Sequence, residues 1–249
     1  MKIYRFITVI IGLSLAWGCS GMKSATEHPY ELAGYESSNH LINSGVQADS
    51  AMMAFINPYR DSMQTRLSEV IAQSTGNFRV TRPEGALGNL AADMLLRRAS
   101  RELRRHVDIG IMNLSHLEAS LTSGPVTVGN IYRLMPYDYK VVVLKLTGEQ
   151  VLELANEVAI NGGEAISGMR MGIRNGKAVD VLVGSQNVQP DSIYLVATSS
   201  YLANGNGDLS ALWNPVDTID LDLLVRNVMI DYMQTRRVIN PVIDNRIRM

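Results

Sequence analysis

The chain has 249 residues, and 46% of them are apolar, which is enough to build the core of one ordinary domain or two small ones. It carries 23 basic and 24 acidic residues, so its formal charge is −1. Because this balance gives no positive field, the composition argues against nucleic acid as a partner.

The N-terminal segment is typical of a bacterial lipoprotein signal. Lys2 and Arg5 precede an apolar run at 6–15, and small residues stand three and one positions before Cys19, the chain's only cysteine. The run is too short to span a membrane, which takes roughly 20 residues. We expect a signal peptide at 1–18 and lipid on Cys19, which would anchor the protein to an envelope membrane on its periplasmic or outer-surface side. The alternative is an ordinary secretory signal that is cleaved nearby.

The next segment, 19–50, is rich in Ser, Gly, Asn and charged residues, without a sustained hydrophobic period. This composition is typical of a polar tether. We therefore place the folded domain at 51–249.

Helical and strand patterns alternate through 51–249. Helices are predicted at 51–74, where Pro58 is a break or a fresh start, and at 85–106, 148–160 and 221–237. Compact β-branched runs predict strands at 107–113, 140–147, 178–184 and 192–200. Strands and helices in this mixed order predict an α/β (α+β) domain with layered sheets.

The residue pattern lacks the common signatures of self-sufficient hydrolysis. The four histidines, at 28, 40, 106 and 116, are scattered, and the spacing of His106 and Asp108 is interpreted as chance. No dimetal ligand cluster, nucleophile elbow or P-loop is evident. We therefore expect no catalytic residues, no metal site and no cofactor in this chain.

Several segments, in this order and spacing, together resemble the C-terminal domain of the 5'-nucleotidases. They are RPEGALGNLAADML (82–95), DIGIMN (108–113), SGPVTVGNIYRLMPYDYKVVVLKLTGEQVLEL (123–154), SGM (167–169), YLVATSSYLANGNGD (194–208) and DNRI (244–247). The resemblance implies a layered α/β/β/α sandwich that holds the nucleoside part of a substrate. In that family, an N-terminal metallophosphoesterase domain performs the hydrolysis.

The resemblance also implies roles for particular side chains. Tyr137 and Tyr201 match two aromatic residues that sandwich the base, and Asn113 matches an amide that contacts the base. The alternative for both tyrosines is simple packing in the core or at its edge.

A second group of implied contacts lies in the segment LANGNGD. Asn204 is a candidate ligand residue, and Asp208 matches the aspartate that takes the ribose hydroxyls if the loop has one extra residue. If the family register is kept, Gly207 stands in that place instead.

The loop after Asn113 departs from the family pattern. Where the family has two glycines followed by Ile-Arg, this chain has Ser-His-Leu-Glu, so that Glu118 replaces an arginine that suits phosphate. Pro83 stands where the family has a second arginine, and Arg82 is one residue away. These changes predict a retained base site and a dismantled phosphate site. His116 either replaces some of the lost positive charge, as a protonated imidazole, or forms an ion pair with Glu118.

Three functions fit these patterns. The chain is a nucleoside- or nucleotide-binding half that assists a separately encoded metallophosphoesterase, a stand-alone nucleoside-binding lipoprotein, or a degenerate protein-interaction module. A neighbouring gene for a metallophosphoesterase would favour the first function.

Overall fold

The computed structural model describes residues 38, 39, 41, 43 and 45–249. The predicted signal peptide at 1–18, Cys19 and most of the predicted tether at 19–50 lie outside the described residues. Ser50–Met249 form one compact unit.

The elements follow one another closely along this unit. In chain order they are α1 (Ser50–Leu67), β1 (Val70–Ser74), α2 (Ala86–Leu103), β2 (Ile109–Met112), a 3-10 turn (Leu114–His116), β3 (Gly124–Thr127), α3 (Val128–Leu134), β4 (Lys140–Thr147), α4 (Gly148–Ile160), β5 (Ala165–Ser167), β6 (Met169–Arg174), β7 (Lys177–Val183), β8 (Gln186–Asn187), β9 (Ile193–Ser199), α5 (Ser200–Ala203), a second 3-10 turn (Ser210–Leu212), β10 (Asp217–Leu224), α6 (Val225–Arg236), β11 (Val238–Ile239) and β12 (Ile247–Arg248).

A five-stranded sheet in the order β10-β4-β9-β2-β5 forms the centre of the domain. The pair β2 and β9 is parallel, and the other pairs are antiparallel. Alternate residues of β4 point into different cores, since Val143 belongs to one buried cluster and Val142 and Leu144 to the other. The central sheet is therefore covered on both faces.

Each face of the central sheet carries its own layer. Helices α2 and α6 and the small sheet β11-β1-β3 contribute to the first core, whereas α4 and the sheet β12-β6-β7-β8 contribute to the second. All three sheets among the described residues mix parallel and antiparallel pairs. The predicted layered α/β fold is confirmed.

Residues near the C-terminus complete two of these sheets. Strand β11 pairs in parallel with β1, and β12 pairs in parallel with β6. The buried Glu84 carboxylate fastens this segment, because it accepts hydrogen bonds from the backbone N–H of Asp244 at 2.9 Å and from the Asn89 amide at 2.6 Å.

The prediction of one helix at 51–74 was wrong for its second part. Helix α1 passes through Pro58 without ending, but it stops at Leu67. Residues 70–74 instead form β1, because Ile71 and Ala72 are buried in a strand that pairs with β3 and β11.

The predicted helix at 221–237 begins later than expected. Asp217–Leu224 form a strand whose alternate side chains, among them Ile219, Leu221 and Leu223, pack against the first core, and the helix starts at Val225. By contrast, the strand predicted at 140–147 and the helix predicted at 148–160 are confirmed at both ends.

Among residues 45–249, no helix combines the length and the apolarity needed to cross a membrane.

Candidate functional site

Four aromatic rings meet at one edge of the central sheet. His116 ends the 3-10 turn that follows β2, Tyr137 and Tyr139 precede β4, and Tyr201 follows β9. Because β2 and β9 are parallel and β4 is antiparallel to β9, the ends of β2 and β9 and the start of β4 share this edge. Pairing in the sheet therefore brings these distant residues together.

The imidazole of His116 contacts all three tyrosines. Its ring centroid lies 4.9 Å from that of Tyr137, 5.0 Å from that of Tyr139 and 4.4 Å from that of Tyr201. Tyr139 also contacts both other tyrosines, at 5.0 Å and 5.1 Å. We call these four residues the aromatic cluster. His116 thus contacts both of the tyrosines that are predicted to sandwich a base.

The cluster holds His116 in an apolar setting. Burial lowers the pKa of His116, and the nearby charge of Glu118 raises it by a smaller amount. Its Nδ1 atom has no hydrogen-bond partner in the described part of the chain. The environment therefore favours the neutral imidazole.

Glu118 is hydrogen-bonded to a tyrosine rather than paired with the histidine. Its carboxylate accepts a hydrogen bond from the Tyr137 hydroxyl, and this bond is the main reason that the pKa of Tyr137 is raised. Within residues 45–249 there is no ion pair between Glu118 and His116. The proposed internal pair is thus replaced by a Glu118–Tyr137 contact.

A polar cleft of about 460 Å³ lies beside the aromatic cluster, and Tyr201 belongs to both. Asn113, Gly207 and Asp208 also line the cleft. The Asn113 amide donates to the Ser115 hydroxyl at 3.0 Å, while its Oδ1 atom is without a partner among the described residues. The cleft therefore combines an aromatic wall, an amide and a carboxylate.

Two glycines allow the backbone segments around this cleft to approach closely. A Cβ atom on Gly88 would stand 2.7 Å from the Leu114 side chain, so this glycine lets α2 pack against the turn that carries His116. Gly163 has a φ of +114°, and a Cβ atom there would stand 2.0 Å from the carbonyl oxygen of Pro83. A larger residue at either position would force the two packed segments apart.

The arginine of the cleft is already neutralised. Arg82 donates to the carbonyl oxygens of Asn161, at 2.8 Å, and Gly163, and it forms an ion pair with Glu164 at 2.9 Å. The second Glu164 oxygen accepts a hydrogen bond of 2.6 Å from the backbone N–H of Leu114. The guanidinium thus serves as a structural clamp, with few donors left for a ligand.

The predicted site residues fall into three places. Asn113, Tyr201 and Asp208 line the cleft, and so does Gly207, the alternative to Asp208. His116, Tyr137 and Glu118 form or adjoin the aromatic cluster. Asn204 is exposed at the C-terminal cap of α5 and lines neither.

Sequence reasoning did not assign several members of this site, among them Tyr139, Asn161 and Glu164. Tyr139 is two residues after Tyr137, a spacing that places both on one face of an extended segment. Asn161 and Glu164 line the cleft because the turn after α4 brings them to Arg82, and no local signal in the sequence indicates that contact.

Residues 45–249 include no group of three or more His, Cys, Asp or Glu side chains arranged to hold a metal ion.

Residues 70–213 match the family model described as the 5'-nucleotidase C-terminal domain. A 5'-nucleotidase of Vibrio cholerae is 24% identical over 209 residues, covering 80% of this chain and 37% of the relative. A 5'-nucleotidase of Vibrio vulnificus is 28% identical over 175 residues, covering 66% of this chain and 31% of the relative. The chain thus spans about a third of the length of these relatives.

Solved structures give the same result for the fold. A 5'-nucleotidase precursor from Thermus thermophilus superposes with a TM-score of 0.68 at 26% identity, over 80% of this chain and 42% of that one. A 5'-nucleotidase from Staphylococcus aureus has a TM-score of 0.65 at 13% identity, over 84% of this chain and 46% of that one, and this likeness concerns the fold alone. Since the family model covers more than half of the chain, the protein belongs to the 5'-nucleotidase C-terminal domain family.

Proposed function

We propose that this protein binds a nucleoside and assists a metallophosphoesterase on a separate chain in nucleotide hydrolysis, while a lipid on Cys19 holds it at the bacterial envelope. The observation that carries the proposal is the cleft in which the Tyr201 ring, the Asn113 amide and the Asp208 carboxylate meet. Family membership gives this cleft its relevance to nucleotide chemistry.

The three side chains match the parts of a nucleoside. The Tyr201 ring offers a stacking face, and stacking of a base on one aromatic ring contributes about 1–3 kcal/mol. The Asn113 amide can donate and accept hydrogen bonds at the edge of a base, and the Asp208 carboxylate can accept from two ribose hydroxyls. This combination suits a neutral ligand with a π-face and a diol.

The charge of the cleft favours the nucleoside over its phosphate. Glu164 already neutralises Arg82, so the exposed Asp208 carboxylate leaves the lining acidic. A phosphate dianion brought near such a lining meets repulsion rather than a guanidinium fork. The partner enzyme would therefore release phosphate from the nucleotide before the resulting nucleoside binds tightly in this cleft.

Calorimetric titration of the purified full chain with adenosine tests the cleft. We expect Tyr201→Ala and Asp208→Asn each to weaken adenosine binding by about tenfold, the equivalent of ~1.4 kcal/mol. Tyr59→Ala and Asp191→Asn are the matched controls, because both side chains are exposed and neither lines the cleft. If adenosine fails to bind at millimolar concentration, the protein-interaction function replaces this one.

A second measurement addresses the partner. We expect the purified chain alone to show no turnover of nucleoside monophosphates with added Mn²⁺, Zn²⁺ or Co²⁺. We also expect it to form a complex with a metallophosphoesterase encoded by an adjacent reading frame. Turnover that survives repurification of the chain alone would contradict the division of labour between two chains.

A further inference from the structure

A separate groove lies between α2 and α6, away from the polar cleft. Helix α2 contributes Arg97, Arg98 and Arg101, and α6 contributes Arg236, to the lining of a cavity of about 140 Å³. Arg97 and Arg101 are one helical turn apart, so both side chains extend from the same face of α2. We call this cavity the arginine groove.

Most of the positive charge in the arginine groove lacks a counter-charge. Arg98 forms ion pairs with Glu102 at 3.3 Å and with Asp231 at 3.0 Å. Arg97, Arg101 and Arg236 form no ion pair with any residue that the structure describes. Since the whole chain has a formal charge of −1, this positive charge is a local concentration.

The floor of the groove is apolar. Met94 and Val228 are almost fully buried beneath the arginines. The guanidinium of Arg236 lies over the Tyr232 ring, 5.6 Å from its centre, so the cation contacts the aromatic face. A neighbouring cleft of about 310 Å³ shares Arg97, Tyr232 and Arg236 and extends the space.

These features suit one class of ligand. Guanidinium groups bind phosphate oxygens through paired N–H donors, and several of them converging on one cavity match the multiple oxygens of a phosphate ester. Like charges held together repel each other, and a bound anion removes that repulsion. The apolar floor of Met94 and Val228 can hold the organic part of the same ligand.

We propose that the arginine groove is a binding site for organic phosphate esters, distinct from the nucleoside cleft. None of its arginines lines that cleft, so the site stands or falls independently of the proposed function. The shared chemistry covers a free phosphorylated metabolite and the phosphate of a lipid headgroup.

Calorimetric titration of the full chain with pyrophosphate tests the proposal. Arg97→Gln combined with Arg101→Gln should weaken pyrophosphate binding at least tenfold, whereas Arg79→Gln combined with Arg133→Gln, which removes the same charge from two exposed sites outside the groove, should leave it unchanged. Equal losses in both double variants, or no binding of pyrophosphate to the unmodified chain at millimolar concentration, would overturn the proposal.

A third variant should act in the opposite direction. Asp231→Asn removes one partner of Arg98 and one negative charge from the lining, so pyrophosphate should bind several-fold more tightly. A purely structural role of Asp231 would give no such gain, and an unchanged or weaker affinity would count against the site.

Vesicles of phosphatidylcholine with phosphatidic acid distinguish a lipid headgroup from a free metabolite as the source of the phosphate. A headgroup site binds both these vesicles and pyrophosphate, whereas a metabolite site binds pyrophosphate alone.

Discussion

The imidazole of His116 stands edge-on against the ring of Tyr201, with 4.4 Å between the ring centroids and 72° between the planes. The same imidazole contacts Tyr137 on another side. The chain's own ring therefore fills space next to both tyrosines, and of the two only Tyr201 lines the cleft.

Replacing His116 with glycine should open this space. We expect His116→Gly to tighten adenosine binding by about tenfold, because stacking on a second aromatic face contributes about 1–3 kcal/mol. Tyr137→Ala should have little effect in the original chain and should abolish the gain in the His116→Gly background. His106→Gly is the control, since the side chain of His106 is 84% exposed. A folded His116→Gly variant with unchanged affinity would contradict the role assigned to the ring.

Acidification should destabilise the packed position of His116. Burial lowers its pKa in the folded state, so the unfolded chain, with an ordinary pKa of about 6.5, takes up the proton first as the pH falls. The contribution of the neutral ring is thus complete above that value and is lost progressively below it. We expect the melting temperature of the original chain to fall relative to that of His116→Gln between about pH 7.5 and pH 5. Parallel melting curves for the two proteins would exclude this coupling.

Freeing Arg82 should change which ligand the cleft prefers. In the original chain we expect adenosine to bind at least as tightly as its monophosphate, measured by displacement of bound adenosine. Glu164→Gln removes the ion-pair partner of Arg82 but keeps an oxygen for the Leu114 N–H, so it should improve binding of the monophosphate selectively. Glu153→Gln, at an exposed position of α4, is the control. Much tighter binding of the monophosphate to the original chain would contradict the acidic character of the cleft.

The buried Arg246 should be important for stability. Its guanidinium donates to Asp93 at 2.7 Å, to Asp244 at 2.9 Å and to the Ile166 carbonyl at 2.9 Å. Arg246→Met would leave the Asp93 carboxylate with the Ser167 hydroxyl and the Asp244 carboxylate with Arg170 at 3.7 Å. Because breaking a buried ion pair typically costs about 3–5 kcal/mol, we expect the free energy of unfolding to fall by up to that amount. Urea denaturation measures the loss, and Arg248→Met, at an exposed position two residues further on, should change stability by less than about 0.5 kcal/mol. Similar losses in both variants would contradict the assignment.

The proposed lipid anchor is tested by Cys19→Ala. Without the acylated thiol, the protein should move from the membrane fraction to the soluble fraction, because stable anchoring depends on the acyl chains. Mass spectrometry of the original protein should show the added lipid. Full retention of the variant in the membrane fraction, together with no acyl mass on the original chain, would exclude this anchor.

The sequence predicted most reliably those elements whose local signals agree with their packing. Helix α4 was predicted to the residue from its helical pattern, and in the structure a capping box of Thr147 and Gln150 fixes its start while its apolar face fits the core. Strand β1 was missed because its pairing with β3 and β11 involves residues at least 50 positions away, and that pairing overrides the helical pattern of 51–74.

The site also divides into residues that local sequence motifs indicate and residues that only long-range packing brings together. Asn113, Tyr201 and Asp208, which line one cleft, could be proposed from the sequence because a family motif surrounds each of them. The position of His116 among three tyrosines could not be inferred, since it depends on how the 3-10 turn packs against the ends of β4 and β9. The bond between Glu118 and Tyr137 likewise follows from this packing rather than from sequence spacing.

The pairing of β11 with β1 and of β12 with β6 has a consequence for biosynthesis. Strands β1 and β6 each keep one edge unpaired until residues 238–248 have been made, and the contact between Glu84 and Ile247 joins residues 163 positions apart. Unpaired strand edges are sites of aggregation. A growing chain therefore exposes these edges until its last strands have been made, and the two sheets can be completed only then.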